Sequence, residues 1–176
     1  MIADLPPNLP EPIVCCIEAA QDYGLPPAVV LSVAQAENGQ AGVWVKNGNQ
    51  TYDVGPMQFN TAYLKTLNEY GITAEAVEGS GCYPYQLAAW RIAVHYWTKV
   101  ANYHSRTPDL NLKYQARLLD FYQSWSRWLE NPSAPLPWVG KKGLSGKRKI
   151  VTRQSAKPAK PILSFEDYLR SKGFAQ

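Results

Sequence analysis

The sequence predicts an α+β domain that is mainly α, with a small irregular β insert and a basic C-terminal tail. Apolar residues make up 45% of the 176 residues, enough for a sizeable core, and recur at helical spacing in several segments between residues 13 and 130. Residues 39–56 are instead rich in Gly, Asn and Thr. After Ser133, Pro and Gly mix with Lys and Arg, a composition that cannot bury apolar surface.

The first two predicted helices are marked by their ends. A helix over 13–23 is closed by Gly24, a typical C-cap residue. Pro26 and Pro27 open a second helix over 28–37, because proline is tolerated in the first turn. Asn38-Gly39 end that helix, and residues 39–56 form a long loop or a short irregular hairpin.

Four more helices follow the insert. Thr61 caps a helix through residue 70, which Gly71 ends, and a short helix covers 73–78. A long helix over 85–103 and another over 110–130 carry apolar stripes. The tryptophans at helical spacing are expected in the core: Trp90, Trp97, Trp125 and Trp128.

Charge divides the chain into parts. Residues 1–130 hold 8 basic and 12 acidic side chains, whereas residues 131–176 hold 10 basic and 2 acidic ones. The predicted parts are an N-terminal extension (1–12), the domain (13–130), a basic flexible linker (131–163) and a short C-terminal helix (164–176). A uniformly basic nucleic-acid-binding domain is excluded, and no nucleic-acid partner is expected.

Several other classes are excluded. The longest apolar run, 28–34, is far shorter than a membrane span. The first residues lack the basic and apolar regions of a secretory signal, so the chain is expected to be cytosolic or to have lost its signal. Three cysteines, no CxxC pair and two histidines argue against a disulfide-dense scaffold and a structural zinc site. We expect no metal and no cofactor.

Glu37 is the first candidate for chemistry. It lies on the same helical face as Val30 and Val33, at the end of the apolar stripe. Burial and the negative end of a helix both disfavour an ionised carboxyl, which suits general-acid work near neutral pH. The alternative is an exposed glutamate at a fraying helix end.

Three spaced motifs resemble one known family. They are Glu37-Asn-Gly39, Gly55-Pro-Met-Gln-Phe-Asn60 and Ala101-Asn-Tyr-His-Ser105. Together they resemble the lysozyme-like superfamily, and within it the family 1 lytic transglycosylases. The small members that accompany secretion, conjugation and pilus systems are most similar, since they share a C-x-x-x-A segment (15–19) and an N-x-x-Y segment (111–114).

The resemblance implies a lysozyme-like fold and cleavage of the glycan strands of peptidoglycan. Glu37 would protonate the glycosidic oxygen between N-acetylmuramic acid and N-acetylglucosamine. The resulting carboxylate would then accept the proton of the muramoyl C6 hydroxyl, which closes a 1,6-anhydro ring. One acid/base therefore suffices for the reaction.

The resemblance also assigns supporting residues. Tyr103 matches a tyrosine whose hydroxyl bonds the catalytic carboxyl, and Gln58 and Asn60 match cleft positions. Three positions depart from the family pattern. Asn38 replaces a serine that helps position the carboxyl, Pro56 replaces a leucine, and His104 replaces an asparagine.

Alternatives remain open at several residues. Asp53, 16 residues after Glu37, could make the protein a lysozyme-type hydrolase, or could simply bond the hairpin backbone. Trp44 could stack on a sugar ring or anchor the loop. A non-catalytic peptidoglycan-binding or scaffold module is the alternative from another functional class.

The cysteines suggest that the protein works in an oxidising compartment. The resemblance pairs Cys82 with Cys15 in a disulfide, with Cys16 as the second choice for Cys82's partner. The expected location is therefore the periplasm, after removal of a signal peptide. The expected partners are peptidoglycan strands and, through the basic tail, components of a secretion or conjugation complex. We expect a monomer.

Overall fold

The computed structural model describes residues 5–143 and 149–152 of the chain. Within them the protein is mainly α-helical with a small mixed four-stranded sheet, which confirms the predicted fold class. The helices are α1 (Glu11–Asp22), α2 (Pro27–Glu37), α3 (Thr61–Leu67), α4 (Ala74–Glu78), α5 (Tyr83–Arg91) and α6 (Pro108–Glu130). The strands are β1 (Val43–Lys46), β2 (Tyr52–Val54), β3 (Phe59–Asn60) and β4 (Lys149–Thr152).

Helix α2 forms the centre of the core. Nine of its eleven residues are buried, and α1 and α6 both pack against it. A helix that is apolar on nearly every side must be enclosed by other elements. Glu37, the only charged residue of α2, is buried with the rest of the helix.

The four strands have the order β3-β2-β1-β4. Strands β1 and β2 form an antiparallel hairpin in which Val45 lies opposite Asp53. Strand β2 also pairs with β3, which places Asp53 opposite Asn60. Of the two alternatives for residues 39–56, the structure contains the hairpin. Strand β4 joins β1 in parallel.

Helix α3 begins differently from the prediction but ends at the predicted glycine. The residue that caps α3 is Asn60, whose Oδ1 accepts a hydrogen bond from the Ala62 N–H at 2.9 Å. Thr61 is the first helical residue, so its predicted capping role is wrong. Helix α3 and a following 3₁₀ turn reach Tyr70, and Gly71 then adopts a positive φ of 76°, as a helix-ending glycine does.

The long helix predicted over 85–103 is broken. Helix α5 ends at Arg91, a π-helical turn covers Ile92–Tyr96, and a 3₁₀ helix covers Val100–Tyr103. Trp97 is 46% exposed, so its predicted core position is wrong. The π turn changes the angular spacing of side chains, so residues beyond it leave the apolar face of α5. The 3₁₀ helix then returns Val100 and Tyr103 to the core.

The C-terminal segment also differs from expectation. Leu136 and Trp138 pack against the core, and the Trp128 indole N–H donates to the Ala134 carbonyl oxygen at 3.1 Å. Strand β4 adds to the edge of the sheet, although its residues are exposed. The described parts of 131–163 therefore contact the domain, and the division of the chain into a linker and a C-terminal helix stays a prediction. Residues 153–163 and the predicted helix at 164–176 lie outside the described residues.

A disulfide joins Cys15 of α1 to Cys82, the residue before α5. This is the predicted pair, and Cys16 is a free, buried thiol. Burial raises the pKa of the Cys16 thiol well above its ordinary value. In the described part of the chain, no helix is both long and apolar enough to cross a membrane.

Candidate functional site

Glu37 lies at the C-terminal end of the buried helix α2. Only 5% of its side chain is exposed. Asn38 ends the helix in the left-handed conformation, with φ 46°, which asparagine tolerates better than most residues. The chain therefore turns away directly after Glu37, whose side chain lines a cleft.

Two glycines bring the Glu37 segment against the strand segment. The Gly39 N–H donates to the Pro56 carbonyl oxygen at 3.2 Å. A Cβ at Gly39 would overlap the carbonyl oxygens of Gly55 and Pro56. Gly55 has φ 69°, and a Cβ there would overlap the Val77 carbonyl oxygen. Both positions require glycine.

The cleft has a volume of about 660 Å³. It brings together five of the predicted site residues, which are Glu37, Asp53, Gln58, Asn60 and Tyr103. His104 and the hairpin residues Asn47, Asn49 and Thr51 also line it. Most of the lining groups are amides and hydroxyls, which suits a neutral, strongly hydrogen-bonding ligand.

The carboxyl of Glu37 faces two aromatic residues. His104 Nδ1 lies 3.7 Å from Glu37 Oε1. The Tyr114 hydroxyl is fully buried; burial, then the charge of Glu37 and a side-chain hydrogen bond with Glu37, raise the pKa of Tyr114 well above its ordinary value. Glu37 Oε1 makes no hydrogen bond of standard geometry to a described residue. An oxygen so placed is available to a bound ligand.

Tyr103 does not have the predicted contact. Its hydroxyl donates to the Met57 carbonyl oxygen at 3.0 Å instead of to Glu37. Burial raises the pKa of Tyr103, the Arg91 guanidinium opposes this increase, and the charge of Glu37 adds to it. Tyr103 therefore fixes the strand segment that faces Glu37, and Tyr114 is the tyrosine that faces the carboxyl.

Polar residues of the strands and of their connecting turns are hydrogen-bonded along the cleft. The Asn60 Nδ2 donates to Asp53 Oδ1 and to Thr51 Oγ1, both at 2.9 Å. Gln58 has φ 51°, and its Nε2 donates to the Gly55 carbonyl oxygen at 2.9 Å. The predicted cleft positions of Gln58 and Asn60 agree with this geometry.

Asn38 and Trp44 do not line the cleft. The Asn38 Oδ1 accepts a hydrogen bond from the Trp138 indole at 3.3 Å, so Asn38 connects α2 to the C-terminal segment. Trp44 packs edge-on against Tyr52, with ring centroids 5.8 Å apart, and against the core. On β2, Asp53 faces the cleft, and its neighbour Val54, which pairs with Trp44, is buried in the core.

The sequence prediction missed two residues of the site. Tyr114 lay within the N-x-x-Y segment, and that segment was the only signal for it. Arg91 is 9% exposed, lines the cleft and lies over the rings of Tyr63 and Tyr103 at 4.1 and 4.6 Å. Aromatic faces stabilise a cation that lies over them. Because these two rings come from different parts of the chain, no local sequence pattern predicts the position of Arg91.

The arrangement suits proton transfer by one carboxyl. Glu37 is shielded from water on the helix side and open to the cleft on the other, with hydrogen-bonding groups opposite. In the described ranges, no cluster of His, Cys, Asp or Glu could hold a metal ion. No model of a known protein family matches the chain, and no curated protein matches it.

Proposed function

We propose that this protein is a peptidoglycan lytic transglycosylase of the lysozyme-like superfamily, with Glu37 as its single acid/base. The observation that carries the proposal is the buried Glu37 carboxyl in the lining of a polar cleft. The resemblance of the three motifs supports the same conclusion, because their residues meet in this one cleft.

The proposed reaction needs one proton donor that becomes an acceptor. The protonated Glu37 carboxyl gives its proton to the O4 atom of N-acetylglucosamine as the bond from the muramoyl C1 breaks. The muramoyl O6 then bonds to C1, and its proton passes to the Glu37 carboxylate. The carboxyl is thereby restored, and the second proton transfer needs no water molecule.

The walls of the cleft support a sugar ligand. Gln58, Asn60 and Asn49 offer amide groups that can bond hydroxyl and N-acetyl groups. Tyr114 and His104 border the carboxyl, and His104 Nδ1 lies 3.7 Å from Glu37 Oε1. Binding of several sugar units along the hairpin would place one glycosidic oxygen within reach of Glu37.

Hydrolysis of the lysozyme type is the second candidate. One observation favours it, because Asp53 lines the same cleft as Glu37. In that mechanism Asp53 would act as the nucleophile or stabilise the positive charge at C1. The Asn60 amide already donates to Asp53 Oδ1, which supports a structural role for this carboxylate within the hairpin.

The location and partners are part of the proposal. The Cys15–Cys82 disulfide is compatible with an oxidising compartment, and we propose the periplasm. The enzyme would open the wall locally for a secretion or conjugation apparatus, whose components would bind the basic C-terminal tail. We propose that it acts as a monomer.

Product analysis tests the reaction. Purified sacculi are digested, and the muropeptides are identified by mass spectrometry. We expect 1,6-anhydro-muropeptides from the wild type and a loss of rate of at least about 100-fold in Glu37→Gln. Glu130→Gln is the matched control, because Glu130 also ends a helix but is exposed, and it should retain activity.

Three other results would contradict parts of the proposal. Products with only reducing-end N-acetylmuramic acid, together with a large loss in Asp53→Asn, would indicate hydrolysis. Unchanged activity in Glu37→Gln would refute the role of Glu37. A wild-type protein that binds sacculi but releases no fragments would be a binding module.

A further inference from the structure

We propose that His104 is a positioning residue that orients the Glu37 carboxyl through its Nδ1 atom. The kinetic part of this proposal rests on the proposed function, whereas the contact itself does not. His104 Nδ1 lies 3.7 Å from Glu37 Oε1. That oxygen makes no other hydrogen bond within the described part of the chain.

The imidazole is held in one orientation by Tyr114. The two rings stack with centroids 4.7 Å apart and an angle of 5° between their planes. Tyr114 is itself 1% exposed on the long helix α6, so it provides a rigid surface beneath the histidine. A side chain that is locked by packing holds its partner more accurately than a free one does.

The backbone around His104 is fixed as well. Asn111 of α6 donates to the Asn102 side-chain oxygen at 2.9 Å and to the Ser105 carbonyl oxygen at 2.7 Å. These bonds clamp the chain on both sides of His104. The His104 N–H adds a bond to the Ala101 carbonyl oxygen at 3.3 Å, which completes the 3₁₀ helix.

The contact between His104 and Glu37 is longer than a standard hydrogen bond. At 3.7 Å it must shorten by about half an ångström to form one. Hydrogen bonds of active sites often tighten in this way once substrate is bound. His104 would then donate from Nδ1 to Oε1 and leave Oε2 directed at the substrate.

Two substitutions distinguish the contribution of the His104 Nδ1 atom from that of ring stacking. His104→Phe keeps a flat ring for stacking on Tyr114 but removes Nδ1, while His104→Asn places an amide donor close to the Nδ1 position. We expect kcat on sacculi to fall about 10-fold or more in His104→Phe and to recover to within about threefold of wild type in His104→Asn. KM should stay within about twofold in both, because His104 acts through Glu37.

NMR tests the contact without any activity measurement. The chain has two histidines, and the ring of His95 lies edge-on against Trp90, outside the Glu37 cleft. In ¹⁵N-labelled protein, ring nitrogen shifts report which nitrogen carries the proton. We expect the His104 proton on Nδ1 in the wild type and a changed Nδ1 shift in Glu37→Gln. His95→Gln assigns the signals and should leave those of His104 unchanged.

The kinetic and NMR measurements test different parts of the proposal. A kcat within twofold of wild type in His104→Phe, or no recovery in His104→Asn, would overturn the positioning role. A His104 Nδ1 shift that is the same in wild type and Glu37→Gln would overturn the contact itself. An inactive wild type would refute the proposed function, and the NMR result would still decide whether His104 and Glu37 interact.

Discussion

Glu37 is buried because of the helix that carries it. Helix α2 is enclosed by apolar packing, so its last residue is drawn into the interior along with the others. A buried carboxyl normally carries a substantial free-energy cost. Here the side chain lines a polar cleft, beside the His104 imidazole and the Tyr114 hydroxyl.

Tyr114 should make the protein sensitive to alkali. Burial, followed by the charge of Glu37, raises the pKa of Tyr114 in the folded state. The contribution of the neutral phenol to folding stability is therefore fully present below about pH 10, the ordinary pKa of tyrosine. Above pH 10 the unfolded chain loses the phenol proton first, and stability falls by about 1.4 kcal/mol per pH unit for this group.

Urea unfolding between pH 8 and pH 11 measures this effect. In Tyr114→Phe the decline in free energy of unfolding above pH 10 should be shallower than in the wild type by about that slope. Tyr70, which is 77% exposed, provides the control variant Tyr70→Phe. Equal slopes for wild type and Tyr114→Phe would show that Tyr114 does not remain neutral in the folded protein.

At the scale of elements, the site depends on how closely α2 approaches the sheet. The turn after α2 touches the backbone of Gly55-Pro56, and Gly55 in turn touches Val77 in α4. No side chain fits between these segments. The hairpin residues that line the cleft are therefore placed relative to Glu37 by direct backbone contact.

Gly39→Ala should disturb both folding and the site. The added methyl group would meet two carbonyl oxygens, so the turn must shift. We expect the free energy of unfolding to fall by about 1–3 kcal/mol, with a parallel loss of cleavage activity. Gly79→Ala is the matched control, because its Cβ would meet nothing within 4 Å. Denaturant titration checks both, and wild-type stability in Gly39→Ala would refute the close approach.

At the scale of the whole molecule, long-range connections complete the fold. The Trp138 indole reaches Asn38, 100 residues earlier in the chain, and β4 extends the sheet that begins at β3. The disulfide connects α1 to the start of α5 across a separation of 67 residues. Helix α2 itself packs against α1, α5 and α6.

The disulfide should contribute strongly to stability. Closing a loop of this length stabilises the folded state by roughly 4 kcal/mol in the chain-entropy model. We expect about that loss in the double variant Cys15→Ala, Cys82→Ser. Cys16→Ala, which also removes a buried sulfur from α1 but keeps the disulfide, should lose about 1 kcal/mol.

Counting thiols provides a direct check on the oxidation state. After denaturation without reductant, alkylation should label one cysteine, Cys16, and after reduction it should label all three. Mass spectrometry distinguishes the two states. Three labelled cysteines before reduction would contradict both the disulfide and the oxidising compartment that we propose.

Local signals were sufficient for much of the helical structure. Pro27 and the Asn38-Gly39 pair mark the ends of α2, and Gly24 and Gly71 end helical segments with positive φ. These signals work because capping and backbone conformation act within one turn of helix. The π turn after Arg91 gave no such signal, so the sequence predicted one long helix in its place.

The sequence by itself determined that the fold is mainly helical and that Glu37 ends a helix at the end of its apolar stripe, and it identified Asp53, Gln58 and Asn60 as polar candidates after that helix. Only the tertiary structure decided which groups face the carboxyl. It placed His104 and Tyr114 there, and turned Tyr103 towards Met57. Helical period and caps report on neighbours along the chain, whereas these contacts depend on how α6 and the 3₁₀ helix pack against α2.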